Sequence, residues 1–224
     1  MNLAYRAKNE TAVGHIAALF TILVWGTTFV STKVLLQDFT PIEILFVRFV
    51  MGLVALFIIA PKVLGWMGWR HERLFMLAGL FGVTLYYLLE NIALTETLAT
   101  NVGVIVSVSP FFTALLERIV NKGNKLSIQF IIGFVVAMIG IGFISFSETG
   151  LHFSFSGDTL ALLAAGVWAC YSVCMTRIAL LGLSTIKATR RVFEYGILFM
   201  IPVLPLLGFA PEVSAFCNPI NVGN

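Results

Sequence analysis

The sequence has 224 residues, 59% of them hydrophobic and 11% charged, with a formal net charge of +3 and a mean hydropathy of +0.97. A soluble domain carries about 25% charged residues, and too little polar surface exists here to cover so much apolar side chain in water. This excludes a soluble globular fold and predicts an all-α integral membrane protein, a bundle of about seven transmembrane spans.

Helices are expected because the apolar runs are long and continuous, as a helical span of about 20 residues requires, with none of the strict alternation of a barrel strand. Residues 1–12, with Arg6 and Lys8, form an expected cytoplasmic segment. The first span, 13–36, begins like a leader peptide. Its apolar run is too long for one, and no small-residue cleavage site precedes Lys33, so it is expected to be retained. The second span, 42–60, reads "PIEILFVRFVMG" at its start and carries Arg48 about 10 Å below the outer surface, at 1.5 Å per residue. A guanidinium cannot shed its charge, and insertion scales put its cost at a bilayer centre near ~3 kcal/mol. Snorkelling of the stem to the outer boundary is one reading. A pore-facing cation that binds an anionic group or a gate carboxylate is the preferred one.

The third span, 73–93, runs outward and brings Glu90 to the depth of Arg48 and Lys33. Glu90 is expected to pair with one of them and close the outer side; a carboxylate wetted at the interface is the alternative. The fourth, 98–119, contains Pro110, which cannot donate to the carbonyl of Val106, so a helix kink is expected, with Ser107 and Ser109 as donors to the freed carbonyls. Thr97, Thr100, Asn101 and Ser107 make a polar stripe that either lines a cavity or packs against a neighbouring helix. The fifth, 128–146, offers Gly133, Ala137 and Gly140 as a small face for helix packing. An outer loop, 147–157, leads to the sixth and seventh spans, 158–181 and 188–208, and to a polar tail, 209–224.

Trp25 and Trp168 fall at mid-membrane by count, away from the interfacial aromatic belts, and either pack between helices or line a cavity. Tyr171, Asn91, Tyr86 and Tyr87 are further lining candidates. Cys170 and Cys174 share a helical face with no histidine or carboxylate beside them, so they are read as small hydrophobes and not as metal ligands. His15, His71 and His152 sit at span ends or in loops. No cofactor and no metal are expected.

Basic loop residues stay cytoplasmic. With the N-terminus inside, twelve of the fourteen Lys and Arg residues fall on inner segments, and the outer segments hold Asp38, Glu43, Glu96, Glu148, Asp158 and Glu212. The two exceptions are Lys33 and Arg48. A multi-pass plasma-membrane protein with a cytoplasmic N-terminus is expected.

Shifted by 143 positions, residues 14–61 fall on 157–204 without a gap: Gly14 meets Gly157, Val24-Trp25 meets Val167-Trp168, and Arg48 meets Arg191. The repeating unit is then 13–146, five spans, and 158–208 supplies the first two spans of a second copy. An odd unit forces that copy to enter the membrane upside down, as in many secondary transporters. Arg191 accordingly mirrors Arg48 at the opposite face. Two units make ten spans, so the expectation is a chain about three spans short.

The segments "LVWGTTFVSTKVLL", "PIEILFVRFVMG", "ENIALTETLATNVGVIVSVSPFFTALL" and "QFIIGFVVAMIGIGFI", in this order and spacing, resemble the EamA-type group of the drug/metabolite transporter superfamily. Gly123-Asn124 and Glu96 depart from that group's usual residues. The resemblance implies a five-plus-five inverted-repeat fold and a secondary carrier that exports or exchanges small metabolites or drugs by alternating access. The partners expected are a small-molecule substrate, the lipid bilayer and, as an option, a second copy in a homodimer; nothing points to nucleic acid. No Walker motif provides for nucleotide, and no His-Glu-x-x-His or Gly-x-Ser-x-Gly suggests an enzyme. A seven-helix receptor is the alternative; the seventh span has only Lys187, at its inner edge, where a retinal pigment would need a central lysine. A non-transporting structural fragment is a further alternative.

Overall fold

The computed structural model describes residues 3–121, 126–148 and 154–211. Lys122, Gly123, Asn124, Lys125, His152, Glu212 and Cys217 lie outside the described residues, as do the side chains of Arg6, Lys8 and Glu148. The described residues are mostly helical, with no strand among them, and form seven rods. The first two are α1 (Leu3–Leu35) and α2 (Pro41–Ile59). The third joins α3 (Trp69–Gly79), a π-helical segment (Leu80–Leu85) and α4 (Tyr86–Glu96). The fourth joins α5 (Ala99–Val106) and α6 (Ser109–Asn121). The last three are α7 (Ile128–Glu148), α8 (Phe155–Ala179) and α9 (Thr185–Met200). Five of the rods are long and apolar enough to cross a bilayer, and α7 adds a shorter apolar stretch, Ile128–Gly140. The protein is an all-α integral membrane protein.

Local sequence sets the helix starts. Thr40 caps α2, Pro41 occupies its first turn, and Glu43 reaches back to accept from the Thr40 amide at 2.8 Å. Ser154 caps α8 by accepting from the Gly157 amide at 3.2 Å, while Asp158 accepts from the Ser154 amide at 3.3 Å.

Between helices in lipid there is little hydrophobic drive, so close backbone approach and internal hydrogen bonds hold the bundle together. α8 is the central rod. It packs against α3, the π segment, α4, α5 and α6, and its inward face is small: Ala161, Ala164, Ala165 and Ala169 are all buried. A second core joins α2, α3, the π segment, α8 and α9 around Ile42, Leu45, Phe75, Val83, Ile178 and Val192. Residues 14–27 of α1 are exposed, Ile16, Phe20 and Leu23 among them.

The π segment lies at a crowded contact between rods. Gly79 meets the α9 backbone so closely that a Cβ would lie 2.7 Å from Gly196 N and 2.7 Å from Val192 O. A Cβ on Gly82 would lie 2.2 Å from the Tyr171 ring, and one on Gly196 2.3 Å from Val83. Thr84 Oγ1 donates to Gly196 O at 2.9 Å across the same contact. The extra residue in the turn rotates everything after it, so it decides which way Tyr86, Tyr87 and Glu90 point.

Several details differ from the sequence reading. The third rod begins at Trp69, four residues before 73, because Gly68, at φ 84°, ends the preceding loop. The seventh rod is helical only to Met200 and not to 208: Pro202 has no amide to continue the ladder, and turns and a short 3-10 helix (Pro205–Leu207) follow. The small face of α7 is open, since nothing stands within 4 Å of a Cβ on Gly133 or Gly140. In the fourth rod the helix is interrupted at 107–108, where Ser107 Oγ donates to Val104 O and Ser109 Oγ donates to Val106 O, each at 2.5 Å.

Gly196→Ala forces α9 and Val83 of the π turn apart, and overpacking of this kind costs about 1–3 kcal/mol. Thermal unfolding in detergent should show a clearly lower midpoint for that variant. Gly103→Ala, where nothing stands within 4 Å of the added methyl, should show none.

Candidate functional site

Arg48 sits two turns into α2 and is exposed. Its Nη1 donates to Thr32 Oγ1 of α1 at 3.0 Å. It borders a cavity of about 160 Å³ whose other walls are Leu45, Phe49, Tyr87 and Phe193. That volume holds about five waters at ~30 Å³ each. Arg48 is the one charged residue in this lining.

An aromatic column runs from the cavity toward α1. Phe49 packs edge-on against Phe193 (4.8 Å between ring centroids) and Tyr87 (5.1 Å). Tyr87 meets Tyr86 at 4.8 Å, Tyr86 meets Trp168 at 4.6 Å, and Trp168 touches both Tyr171 (4.9 Å) and Trp25 (5.4 Å). Five of the expected lining residues, Trp25, Tyr86, Tyr87, Trp168 and Tyr171, therefore meet in one cluster that is continuous with the cavity wall. Phe49 and Phe193 were not anticipated. The clue for Phe49 was its place beside Arg48.

Glu90, one turn past Tyr86 on α4, is 7% exposed, and its Oε2 has no hydrogen-bond partner. Arg48 and Tyr86 are its charged and polar neighbours. Lys33, the other cation expected beside it, donates Nζ to the carbonyls of Leu94 and of Thr97 (2.9 Å for the second) and so caps the end of α4. Asn91 is buried and donates to Pro41 O at 3.1 Å, tying the end of the third rod to the start of the second. Asn101 donates to Thr97 Oγ1 at 3.2 Å, and that hydroxyl donates to Asp158 at 3.1 Å. These two asparagines join rods at one end of the bundle, apart from the aromatic column.

Arg191 lies at the other end, in a network that the sequence did not reveal. It pairs with buried Glu72 at 3.4 Å and with Glu194 at 3.5 Å, and donates to the carbonyls of Leu64 and Gly65. Tyr195 donates to Glu72 at 2.6 Å, and the Met67 amide donates to it at 3.3 Å. Arg190, 1% exposed, donates to the carbonyls of Ala60 and Lys62, pairs with Glu194 at 3.3 Å and covers the Phe57 ring at 4.8 Å. The 60–67 connection is thus clamped to α9 through its own carbonyls. Glu72 was findable: it is the sole carboxylate between residues 43 and 90, set in a basic stretch.

Removing one partner of a buried ion pair costs about 3–5 kcal/mol, because the other is left uncompensated. Glu72→Gln and Arg191→Gln should each lower the unfolding midpoint. The double variant should lose less than the sum, with a coupling of about 0.5–3 kcal/mol in a double-mutant cycle.

The sequence pattern of the EamA-like transporter family matches residues 12–146. An uncharacterized transporter of Archaeoglobus fulgidus is 29% identical over 213 residues, 89% of this chain and 70% of the relative. A probable terminal-alkyne amino-acid exporter of Streptantibioticus cattleyicolor is 25% identical, over 92% of this chain and 70% of its own length. A probable amino-acid metabolite efflux pump of Escherichia coli K12 is 28% identical, over 85% of this chain and 61% of its own. The family is one of transporters and not of enzymes. Seven helical rods, a cavity bordered by one cation and this match agree: the chain is a membrane transporter of small molecules and belongs to the EamA-like transporter family.

Proposed function

We propose that this chain is a secondary carrier that exports small amino-acid-type metabolites across the plasma membrane, N-terminus inside. The observation that carries the reading is Arg48 beside an aromatic cavity, with buried Glu90 nearby and one of its oxygens unpartnered. A zwitterion fits such a place. Its carboxylate takes the guanidinium, its ammonium takes Glu90, and its apolar part lies on Phe49, Tyr87 and Phe193. Two relatives whose names carry amino-acid export support the substrate class and the direction.

Alternating access between two inverted copies is the mechanism proposed. The unit 13–146 is one copy, and 158–208 opens the other. Two features support this. First, α8 moved back by 143 positions falls on 12–36, where α1 ends at Leu35, and α9 falls on 42–57, within α2. Second, Trp25 and Trp168 are equivalent under that shift, and they touch. Residues related by a two-fold axis meet only where the axis passes between them. An ion gradient or downhill flow supplies the energy.

The test is counterflow of labelled neutral amino acids in proteoliposomes. Arg48→Gln should cut transport at least about tenfold, the equivalent of one lost contact of 1.4 kcal/mol. Arg118→Gln should leave it unchanged. Glu90→Gln should cut transport of the amino acid but spare its analogue lacking the amino group. Equal loss for both substrates removes the ammonium from Glu90, and full activity of Arg48→Gln removes the carboxylate from Arg48.

A further inference from the structure

Residues 60–68 connect two rods that are each long and apolar enough to span a bilayer. Nine residues cannot carry the chain away from the membrane surface. The third rod, 28 residues from Trp69 to Glu96, is about 42 Å long against a hydrocarbon core of about 30 Å, so its ends lie among headgroups. What the connection shows to its surroundings is specific. Trp66 and Trp69 are 64% and 58% exposed and stack at 6.3 Å with planes 27° apart. Val63 is exposed beside them, and so are Lys62, Arg70 and Arg73.

The stretch has one carboxylate, Glu72, and it is 1% exposed, turned inward against Arg191 and Tyr195. The exposed face therefore carries three cations, two indoles and no acid. Its backbone is also held. Carbonyls of Ala60, Lys62, Leu64 and Gly65 are taken by Arg190 and Arg191, so the side chains are presented on a fixed frame.

We propose that this connection is a binding site for the headgroups of anionic phospholipids. The indoles lie at the level of the ester groups, where tryptophan is favoured. Lys62, Arg70 and Arg73 meet the phosphates, and a zwitterionic headgroup, whose own ammonium they repel, is the poorer ligand. Because the same loop is clamped to α9, lipid held here steadies the seventh rod. Nothing in this depends on which substrate the carrier takes.

The full chain is reconstituted in phosphatidylcholine vesicles containing about a third phosphatidylglycerol, with bromine placed high on the chains of one lipid or the other. Tryptophan quenching by brominated phosphatidylglycerol should exceed that by brominated phosphatidylcholine at equal mole fraction, and the excess should vanish in Trp66→Phe/Trp69→Phe. Removing the charges, Lys62→Gln/Arg70→Gln/Arg73→Gln, should weaken the preference by about fivefold per charge. Should that variant not fold, a salt titration of the unaltered chain gives the same answer, since the preference must fall with ionic strength. Equal quenching by both lipids overturns the proposal, as does a preference that survives loss of the three charges or high salt. Abolition of the preference by millimolar glycerol phosphate overturns it too, because the ligand is then a soluble anion.

Discussion

A carbonyl freed at a helix end finds no water inside a bilayer, so the protein must supply its donor. Most of the polar chemistry in this bundle answers that requirement. Lys33 closes the end of α4 on Leu94 and Thr97. At the membrane boundary, Arg190 and Arg191 tie the connection after α2 to α9 through four of its carbonyls. Ser107 and Ser109 donate into the break before Pro110, and Thr84 bridges the π turn to α9. A cation with its hydrogens on carbonyls is a structural cation, however exposed its position looks in the sequence. Arg48 differs from the other three because its partner is a side-chain hydroxyl on a neighbouring rod and its other border is a cavity.

The π turn connects packing to the site. It lies where Gly79, Gly82 and Gly196 allow α3, α8 and α9 to come closer than side chains permit. Its consequence is the direction of the next two turns, which set Tyr87 in the cavity wall, Tyr86 against Trp168, and Glu90 near Arg48.

Much of this was legible because it is local. Continuous apolar runs gave the rods, the missing amide of Pro110 marked the break in the fourth, and the charge inside "ILFVRFV" singled out Arg48. What escaped the sequence lies between rods. Thr84 and Gly196 are 112 positions apart, and Arg191 and Glu72 are 119 apart, so no window of sequence shows either contact. Lys33 shows the same limit from the other side. Its depth beside Glu90 was readable, but a helix end that competed for its ammonium was not. The small face of α7 misled for a related reason: spacing shows that a helix could pack closely, and a neighbour is needed to make it do so.

Under the proposed repeat Arg48 and Arg191 are counterparts, and their surroundings differ among the described residues. Arg191 is locked between Glu72, Glu194 and a clamped loop, while Arg48 stands exposed beside a cavity. In the proposed carrier, the Glu72–Arg191 pair is what must part for the end of the 60–73 connection to open, and a ligand drives that step only to the extent that it binds better once the pair has parted.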